Sequence, residues 1–431
     1  MSLYRATVVD VPGDPFSDNP AAALASEQDG GLLVDNAGVI VERGPFAALH
    51  AAHPDEPVTD LRGGLLMPGF VDTHVHYPQL RAIGGLGMPL LDWLEQCALP
   101  EESRLADPFY ADAVAAEFVD GLVSAGTTSA LVFGSHFATA MDILFERADR
   151  SGLNITAGLV LSDRLLRPDL LSGPERCLAQ SQALIERWHG HDRLRYAVTP
   201  RFALSSSESI MDVCAELLAD DVWFTTHVNE NQVEVATVAG LFPDADHYLD
   251  TYHRHGLVTS RSVFAHNVHA RDDELELLGG LGAWVAHCPT SNAALGSGLF
   301  PLARHVQHGV GVALGSDVGA GTGLFIGKEA LQAYFLQRLL GPDGYPLTPV
   351  HLLYLATRAG AKALGLDDRV GDFTPGKEFD AVLIRPPAGS TLAVNLAHAT
   401  DTVDALARVF ALATPADIEQ VWSCGRPLLA G

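Results

Sequence analysis

Eight short apolar segments, each of strand length, alternate with amphipathic segments over most of this 431-residue chain. They cover residues 65–76, 127–134, 155–161, 194–202, 222–230, 262–268, 282–289 and 309–317. Between them, segments such as 107–125, 138–151 and 174–189 show the apolar spacing of helices. Near-continuous apolar strands are typical of a parallel sheet that helices cover on both faces. The order therefore predicts an α/β fold, a (β/α)8 TIM barrel that spans residues 65–365.

The two ends of the chain have β character, but each is too short to enclose a core alone. In residues 31–44, apolar residues alternate around an Asp-Asn-Ala-Gly turn, which predicts a hairpin. Near the other end, β character returns in 371–385 and again in 421–429. We therefore expect residues 1–64 and 366–431 to fold together as a small composite β-sandwich domain beside the barrel.

Composition excludes several functional classes. The chain is 48% hydrophobic and 19% charged, which is typical of a globular protein, and its formal net charge of −26 argues against nucleic-acid partners. No basic leader or apolar run of membrane-spanning length is present in the sequence. The five cysteines are widely spread and none forms a Cys-x-x-Cys pair, a pattern that predicts reduced thiols. We expect a cytoplasmic protein that binds neither nucleic acid nor membranes.

Residues that can bind a metal lie at the C-terminal ends of the predicted barrel strands. His74 and His76 end the first strand, and side chains at i and i+2 share a face, so both imidazoles can bind one cation. The others at such ends are Arg201, His227, Glu230, His266 and Asp317. Taken singly, each histidine has a simpler interpretation as an ordinary polar residue, and the aspartate as a turn or helix cap. Their shared position, at the rim where barrel active sites are built, favours a metal site.

The expected ligands are three histidines and one aspartate: His74, His76, His227 and Asp317. This donor set suits one zinc ion per chain, with Fe2+ as the alternative, and leaves one position for water. A metal of this kind lowers the pKa of its bound water toward about 7, which supplies hydroxide at neutral pH. The only lysines are Lys328, Lys362 and Lys377, which argues against a two-metal site bridged by a carboxylated lysine.

Two further residues are expected to act on protons and charge. Glu230 lies three residues after His227, so the chain must turn at Val228-Asn229 to bring the carboxylate over the barrel mouth. The simpler alternative for Glu230 is a solvated loop residue. His266, on the next strand, would stabilise an oxyanion or orient the attacking water. Together with Asp317, these two are the expected catalytic residues.

Several longer motifs resemble known enzymes. The segment 68–76 (Pro-Gly-Phe-Val-Asp-Thr-His-Val-His), the later His, His, Asp order and the segment 371–380 resemble the amidohydrolase superfamily over nearly the whole chain. Narrower motifs resemble the guanine deaminases of that superfamily, and they cover residues 76–79, 91–95, 100–102, 199–202, 227–230, 286–289, 291–292 and 296–300. The most specific of these are His-x-x-Gln at 76–79 and Pro-Arg-Phe at 200–202.

The resemblance implies an activity and a set of contacts. Gln79, Arg201 and Phe202 would hold a purine base, and Glu230 would shuttle the proton. The full set of implied substrate contacts is His76, Gln79, Arg201, Phe202, His227, Glu230 and Asp317. The implied reaction is zinc-dependent hydrolysis of guanine to xanthine and ammonia, in purine catabolism. The alternatives are a deaminase or chlorohydrolase that acts on another amino-substituted purine, pterin or triazine, and an inactive assembly protein, which the complete ligand set argues against.

Some residues have alternatives or depart from the family pattern. Arg201 could form a structural ion pair, Gln79 could lie in a surface loop, and Trp93 is expected in a lid or in the core. The departures are Ala293-Ala294, Gly319-Ala320 and Asn267. All are expected to border the pocket, which leaves the substrate more open than the reaction class. We also expect a homodimer, a state that no residue pattern in the chain identifies.

Overall fold

The structure is a computed structural model that describes residues 1–17, 19–219 and 221–429. Its strands are β1 Ser2–Asp10, β2 Ala25–Val34, β3 Ile40–Pro45, β4 Val58–Pro68, β5 Phe70–His76, β6 Thr127–Phe133, β7 Asn154–Gly158, β8 Val160–Leu161, β9 Leu194–Pro200, β10 Trp223–Val228, β11 Ser262–His266, β12 Trp284–His287, β13 Gly311–Leu314, β14 Ala381–Ile384, β15 Ile418–Ser423 and β16 Arg426–Pro427.

Its α-helices are α1 Pro20–Ala23, α2 Phe46–Ala52, α3 Leu90–Trp93, α4 Leu99–Arg104, α5 Pro108–Ser124, α6 Ala138–Ser151, α7 Pro174–Trp188, α8 Glu208–Leu217, α9 Gln232–Leu241, α10 Asp250–His253, α11 Asp272–Leu281, α12 Pro289–Ala294, α13 Leu302–Gln307, α14 Ile326–Leu339, α15 Pro349–Ala356, α16 Arg358–Ala363, α17 Thr391–Leu396 and α18 Thr402–Leu412. A π-helical turn, Leu94–Ala98, joins α3 to α4. Short 3-10 turns are Tyr77–Ala82, Pro168–Leu170, Gly341–Asp343 and Pro415–Asp417.

Parallel strands form a barrel in the order β5-β6-β7-β9-β10-β11-β12-β13, and β8 pairs with β9 beside this path. The first and last strands meet at their C-terminal ends. There the backbone N–H of Asp317 donates to the carbonyl of His74 (2.8 Å), and that of His76 donates to the carbonyl of Val318 (2.9 Å). Helices such as α5, α6 and α7 connect successive strands and cover the outside. The predicted (β/α)8 barrel is confirmed.

Burial on both faces explains the apolar character of the strands. Every residue of β5, β6, β10 and β11 is buried. On the outer face, large side chains of the covering helices, such as Phe118 of α5 and Phe145 of α6, are fully buried. A strand with no solvent-facing side shows a continuous apolar run in place of alternation.

The first apolar run, 65–76, contributes to two sheets. Its first residues end β4, where Leu66 pairs with Val8 of β1 and Leu65 pairs with Ile384 of β14. Its later residues form the barrel strand β5. At the break, a side chain on Gly69 would collide with Thr128. Because both sheets are buried here, the sequence shows one apolar run where the chain passes from one sheet to the other.

Strands from both ends of the chain form one seven-stranded sheet in the order β16-β15-β14-β4-β1-β2-β3. The hairpin predicted in 31–44 is β2 and β3, and the Asp35 side chain accepts from the N–H groups of Ala37 and Val39 at its turn (both 2.9 Å). Aromatic residues such as Phe379 and Trp422 fill the core of this sheet. The sequence analysis does not predict α17 and α18, which lie between β14 and β15.

The five cysteines are all free thiols. All three lysines have polar partners: Lys377 Nζ lies 2.6 Å from Asp372, Lys362 Nζ lies 3.8 Å from Asp14, and Lys328 Nζ donates to the carbonyl of Thr322 (3.3 Å). Among the described residues, no helix combines the length and the apolar character needed to cross a bilayer.

Candidate active site

The C-terminal ends of the barrel strands bring the predicted residues around one cavity, most of whose lining residues are buried. All the predicted substrate contacts line it, namely His76, Gln79, Arg201, Phe202, His227, Glu230 and Asp317. His266 lines it as well, and His74 is buried beside His76 and Asp317. The residues therefore meet at the rim where the strand-end pattern places them.

Left-handed backbone conformations occur at four residues that follow or end the strands around this cavity. The φ angles of Asn229, His266, Asn267 and Asp317 are 50°, 73°, 47° and 46°. Such conformations are rare and costly for residues other than glycine, and they concentrate at functional sites. The turn at Asn229 ends β10 and brings Glu230 back over the barrel mouth, as the sequence analysis expects.

Side-chain atoms of the expected ligands converge on one point. Nε2 of His76 lies 3.2 Å from Nε2 of His74 and 3.3 Å from Nε2 of His227. Oδ1 of Asp317 lies 3.3 Å from Nε2 of His74 and 3.2 Å from Nε2 of His76. Ligand atoms about 2.0–2.1 Å from the centre of a tetrahedron are about 3.3 Å from one another. The spacing therefore fits a single metal ion.

The chemistry of the imidazoles fits a cation too. Nδ1 of His227 lies 2.6 Å from the carbonyl oxygen of Arg201, so it must donate there, and the neutral ring turns a lone pair on Nε2 toward the site. Burial lowers the pKa of His76 to about 4 and also lowers the pKa values of His74 and His227, so these rings are uncharged at neutral pH. A lone pair on Nε2 of His227 that faces the other ligand atoms can bind a cation shared with them.

His266 lies farther from this point than His76 does. A group made of His74, His227, His266 and Asp317 also has its ligand atoms within 4.8 Å of one another. Within it, Nε2 of His266 lies 3.8 Å from Oδ2 of Asp317 and 3.4 Å from Oε2 of Glu230. Its Nδ1 lies 2.9 Å from Oδ1 of Asn292 and donates there, which leaves Nε2 as an acceptor on the cavity wall. The shorter distances favour His76 as the ligand and place His266 between two carboxylates.

Glu230 is a buried carboxyl group with a raised pKa. Its Oε1 accepts from Ser297 Oγ at 3.1 Å. Burial, and then the charge of Asp317, raise the pKa of Glu230 to about 8. A carboxyl group that titrates near neutral pH can both take up and release a proton there.

Gln79 and Arg201, which both line the cavity, bond to one buried carboxylate that does not line it. Oε1 of Glu102 accepts from Nε2 of Gln79 at 2.7 Å and from Nη2 of Arg201 at 2.8 Å. Arg201 thus makes the ion pair considered as its alternative, and it also lines the cavity beside Phe202. Gln79 is buried and does not lie in a surface loop. The sequence patterns predict no role for Glu102, although the residue belongs to the family-like motif at 100–102.

An apolar cover forms part of the cavity lining. It consists of Leu90 and Trp93 from α3, Leu94 from the π-helical turn, and Leu295. No strand pattern marks these residues, because they lie in short connecting helices. Of the departures from the family pattern, Ala320 lines the cavity. Asn267 is not among the lining residues, and its side chain bonds instead to Asn229 (3.1 Å) and His305 (3.0 Å).

Known proteins are similar to this chain over most or all of its length. The model of the amidohydrolase family matches residues 65–428. A probable guanine deaminase of Deinococcus radiodurans is 59% identical to this chain over 100% of this chain and 99% of its own length.

Solved structures are similar over the same extent. The E. coli guanine deaminase superposes with a TM-score of 0.96 and 40% identity, covering 99% of both chains. A guanine deaminase of C. acetobutylicum with guanine bound in its active site has a TM-score of 0.91 and 25% identity, covering 99% of this chain and 100% of its own. The chain therefore belongs to the amidohydrolase family and, within it, to the guanine deaminases.

Proposed function

We propose that this protein is a metal-dependent hydrolase that converts guanine and water to xanthine and ammonia. The observation that supports the proposal most strongly is a single cavity. Four side-chain atoms suited to bind one metal ion, the carboxyl group of Glu230, and the hydrogen-bond donors of Arg201 and Gln79 meet there. Family membership supports it, since a similar protein has guanine bound in its active site.

The proposed metal is zinc, one ion per chain, with Fe2+ as the alternative. The residues proposed to hold it are His74, His76, His227 and Asp317. Three imidazoles and one carboxylate are the donor types that zinc accepts in catalytic sites. When bound, such a metal activates a water molecule for attack at neutral pH.

Glu230 is proposed to move the protons. Its carboxylate would take one proton from the attacking water and give it to a ring nitrogen of guanine. It would then take the second proton, from the hydroxyl group now on C2, and give it to the exocyclic amine. The bond between C2 and the amine nitrogen breaks, ammonia leaves, and the water oxygen stays on C2 as a carbonyl. Nε2 of His266, 3.4 Å from Oε2 of Glu230, and the second oxygen of Asp317 are proposed to orient the water.

Arg201, Gln79 and Phe202 are proposed to hold the base. Guanine presents the carbonyl oxygen O6 and unprotonated ring nitrogens, which accept hydrogen bonds from a guanidinium group and an amide N–H. Phe202 is buried at the cavity wall, where an aromatic ring can pack against a purine face.

The reaction is tested by incubating the metal-loaded protein with guanine and measuring xanthine by its absorbance and ammonia by a coupled assay. We expect both products in equal amounts and no turnover after the metal is chelated. A panel of other amino-substituted purines, pterins, triazines and cytosine is measured in parallel. Turnover of one of these rings without turnover of guanine would replace the proposed substrate.

Further proposals from the sequence concern domain boundaries, oligomeric state and location. We propose domain boundaries at 1–64, 65–365 and 366–431, a homodimer, and a cytoplasmic enzyme of purine catabolism. The shared seven-stranded sheet supports the pairing of the two terminal segments. Sedimentation of the purified protein at two concentrations tests the homodimer.

A further inference from the structure

Glu102 is a buried carboxylate whose partners come from three other parts of the barrel mouth. The short helix α4 carries it, and its exposed fraction is 3%. Besides the bonds from Gln79 and Arg201 to its Oε1, Nε2 of His136 lies 3.2 Å from its Oε2. Gln79 follows β5, His136 follows β6 and Arg201 follows β9. A single side chain therefore fixes the relative positions of residues from three strand ends.

Glu102 sets the orientation of the Gln79 amide. A carboxylate only accepts hydrogen bonds, so the group of Gln79 that faces it at 2.7 Å must be the NH2 group. At the other end, the carbonyl oxygen Oε1 of Gln79 accepts from the backbone N–H of Gly319 at 3.2 Å. The bonds with Glu102 and Gly319 agree, and together they turn the amide oxygen toward the backbone. The NH2 group also lies 3.3 Å from Nδ1 of His76.

The result is a cavity wall of hydrogen-bond donors. Arg201 has no acceptor atoms. Gln79 turns its amide oxygen to the backbone of Gly319, which leaves its NH2 as the polar group that can face the cavity. A ring that presents a carbonyl oxygen or an unprotonated nitrogen to this wall gains hydrogen bonds. A ring that presents an amino group or a C–H there leaves buried donors unpaired, which a polar site rejects.

The charge of Glu102 holds this arrangement together. Burial alone would raise the pKa of Glu102, but Arg201 and His136 outweigh it and hold the pKa well below its usual range. Glu102 is therefore ionised and balances the buried guanidinium group of Arg201. Without it, Arg201 would be an unpaired buried charge, free to turn toward other acceptors.

We propose that Glu102 is the positioning residue that makes this site selective for the carbonyl edge of its purine, by holding Arg201 and Gln79 as donors. The proposal rests on the proposed function and adds a residue that is not among those lining the cavity. Glu102 acts through its neighbours and need not touch the base.

The test compares two ligands that differ at this edge. Hypoxanthine carries the carbonyl oxygen O6, and unsubstituted purine lacks it. Dissociation constants of both are measured by calorimetry for the metal-loaded wild type and for Glu102→Gln, beside metal content and melting temperature. We expect the Kd of hypoxanthine to rise about tenfold or more in the variant, the worth of one or two hydrogen bonds, and that of purine to change less than about threefold. With guanine as substrate, KM should rise by more than kcat falls.

Glu101→Gln is the matched control on the same helix. Glu101 is also a bonded glutamate, accepting from Tyr110 Oη at 2.5 Å and pairing with Arg104 at 2.9 Å, but it is not among the cavity-lining residues. It should leave both dissociation constants unchanged. If Glu102→Gln does not fold, Glu102→Asp keeps the charge with a shorter reach and should lose part of the preference for hypoxanthine.

If Glu102→Gln loses equal affinity for the two ligands, or keeps the wild-type preference for hypoxanthine, Glu102 contributes to stability alone. Either result would overturn the proposal. A wild type that binds hypoxanthine no better than purine would overturn it as well. If the wild type prefers hypoxanthine but does not turn over guanine, the proposed reaction is wrong. Loss of that preference in Glu102→Gln would then still support the role of Glu102.

Discussion

Nε2 of His74 and Nε2 of His76 lie 3.2 Å apart. Both rings are buried, and burial lowers the pKa of each, so both are uncharged at neutral pH. The two residues are two positions apart on β5, so their side chains leave the strand on the same face. Oδ1 of Asp317, from the other edge of the closing barrel, lies within 3.3 Å of both nitrogens. Two uncharged rings and a carboxylate at these distances match the spacing of ligand atoms around one metal ion.

The first prediction concerns the number of metal ions. Elemental analysis of the purified protein should find close to one tightly bound equivalent per chain. Because the metal binds the folded state, its removal should lower the melting temperature, and added zinc should restore it. Two tight equivalents per chain would contradict a single-metal site.

A second prediction concerns Arg201. Replacing it by lysine keeps the charge but loses the fork geometry and shortens the reach to Glu102. We expect kcat/KM on guanine to fall by one to three orders of magnitude, about 1.4 to 4 kcal/mol, with metal content unchanged. Arg147→Lys, in the partly exposed pair with Asp112 away from the cavity, is the control and should have no such effect. Near wild-type activity of Arg201→Lys would show that the base is held by other groups.

A third prediction concerns pH and Glu329, a buried carboxyl group on α14. Burial raises its pKa from 4.5 to about 8, so between these values the unfolded chain releases a proton that the folded protein keeps. This contribution to stability is complete below pH 4.5 and is lost as the pH rises to about 8. Glu329→Gln removes the titration, and its amide can still accept from the N–H of Thr290 and donate to the Thr290 hydroxyl.

The Glu329→Gln variant should therefore melt at roughly 2 °C or more above wild type at pH 8, with little difference near pH 4.5. Exposed Glu216 provides the control, since Glu216→Gln should leave this pH dependence unchanged. A variant that is less stable than wild type at pH 8 would show that the ionised carboxylate is needed in the fold.

A fourth prediction concerns the shared sheet. A chain that ends near Leu366 lacks β14 and β15, which exposes the apolar edge of β4 that normally pairs with β14. We expect this shortened protein to be insoluble or to lose activity, because its remaining terminal strands cannot enclose a core. A shortened chain that is soluble, folded and fully active would contradict the composite domain.

The barrel and the meeting of its strand-end histidines with Asp317 could be predicted because local patterns encode them. A strand buried on both faces leaves a continuous apolar run, and a side chain at a strand end has a known direction, so His227 and Asp317 could be placed from position alone. The turn that returns Glu230 to the mouth followed from the same argument, since a straight strand would point it away.

Contacts between distant parts of the chain could not be read in the same way. Glu102 lies in a short helix, and nothing local shows that its carboxylate meets Gln79 and Arg201 across the mouth. The change of sheet at Gly69 is hidden because apolar residues occur on both sides of it. The residues of the apolar cover, such as Trp93, are indistinguishable in sequence from ordinary core residues.

The most direct test of the whole account is the rate of guanine deamination by Glu230→Gln, measured beside metal occupancy and the affinity for hypoxanthine. The amide keeps the size of the side chain and can still bond to Ser297, but it cannot carry a proton between water and base. We expect metal content and hypoxanthine affinity to stay near wild type while kcat falls by about 10⁴-fold or more. Activity within about tenfold of wild type would assign the proton transfer to another residue, and loss of the metal would make Glu230 structural; either result would contradict the mechanism proposed for this site.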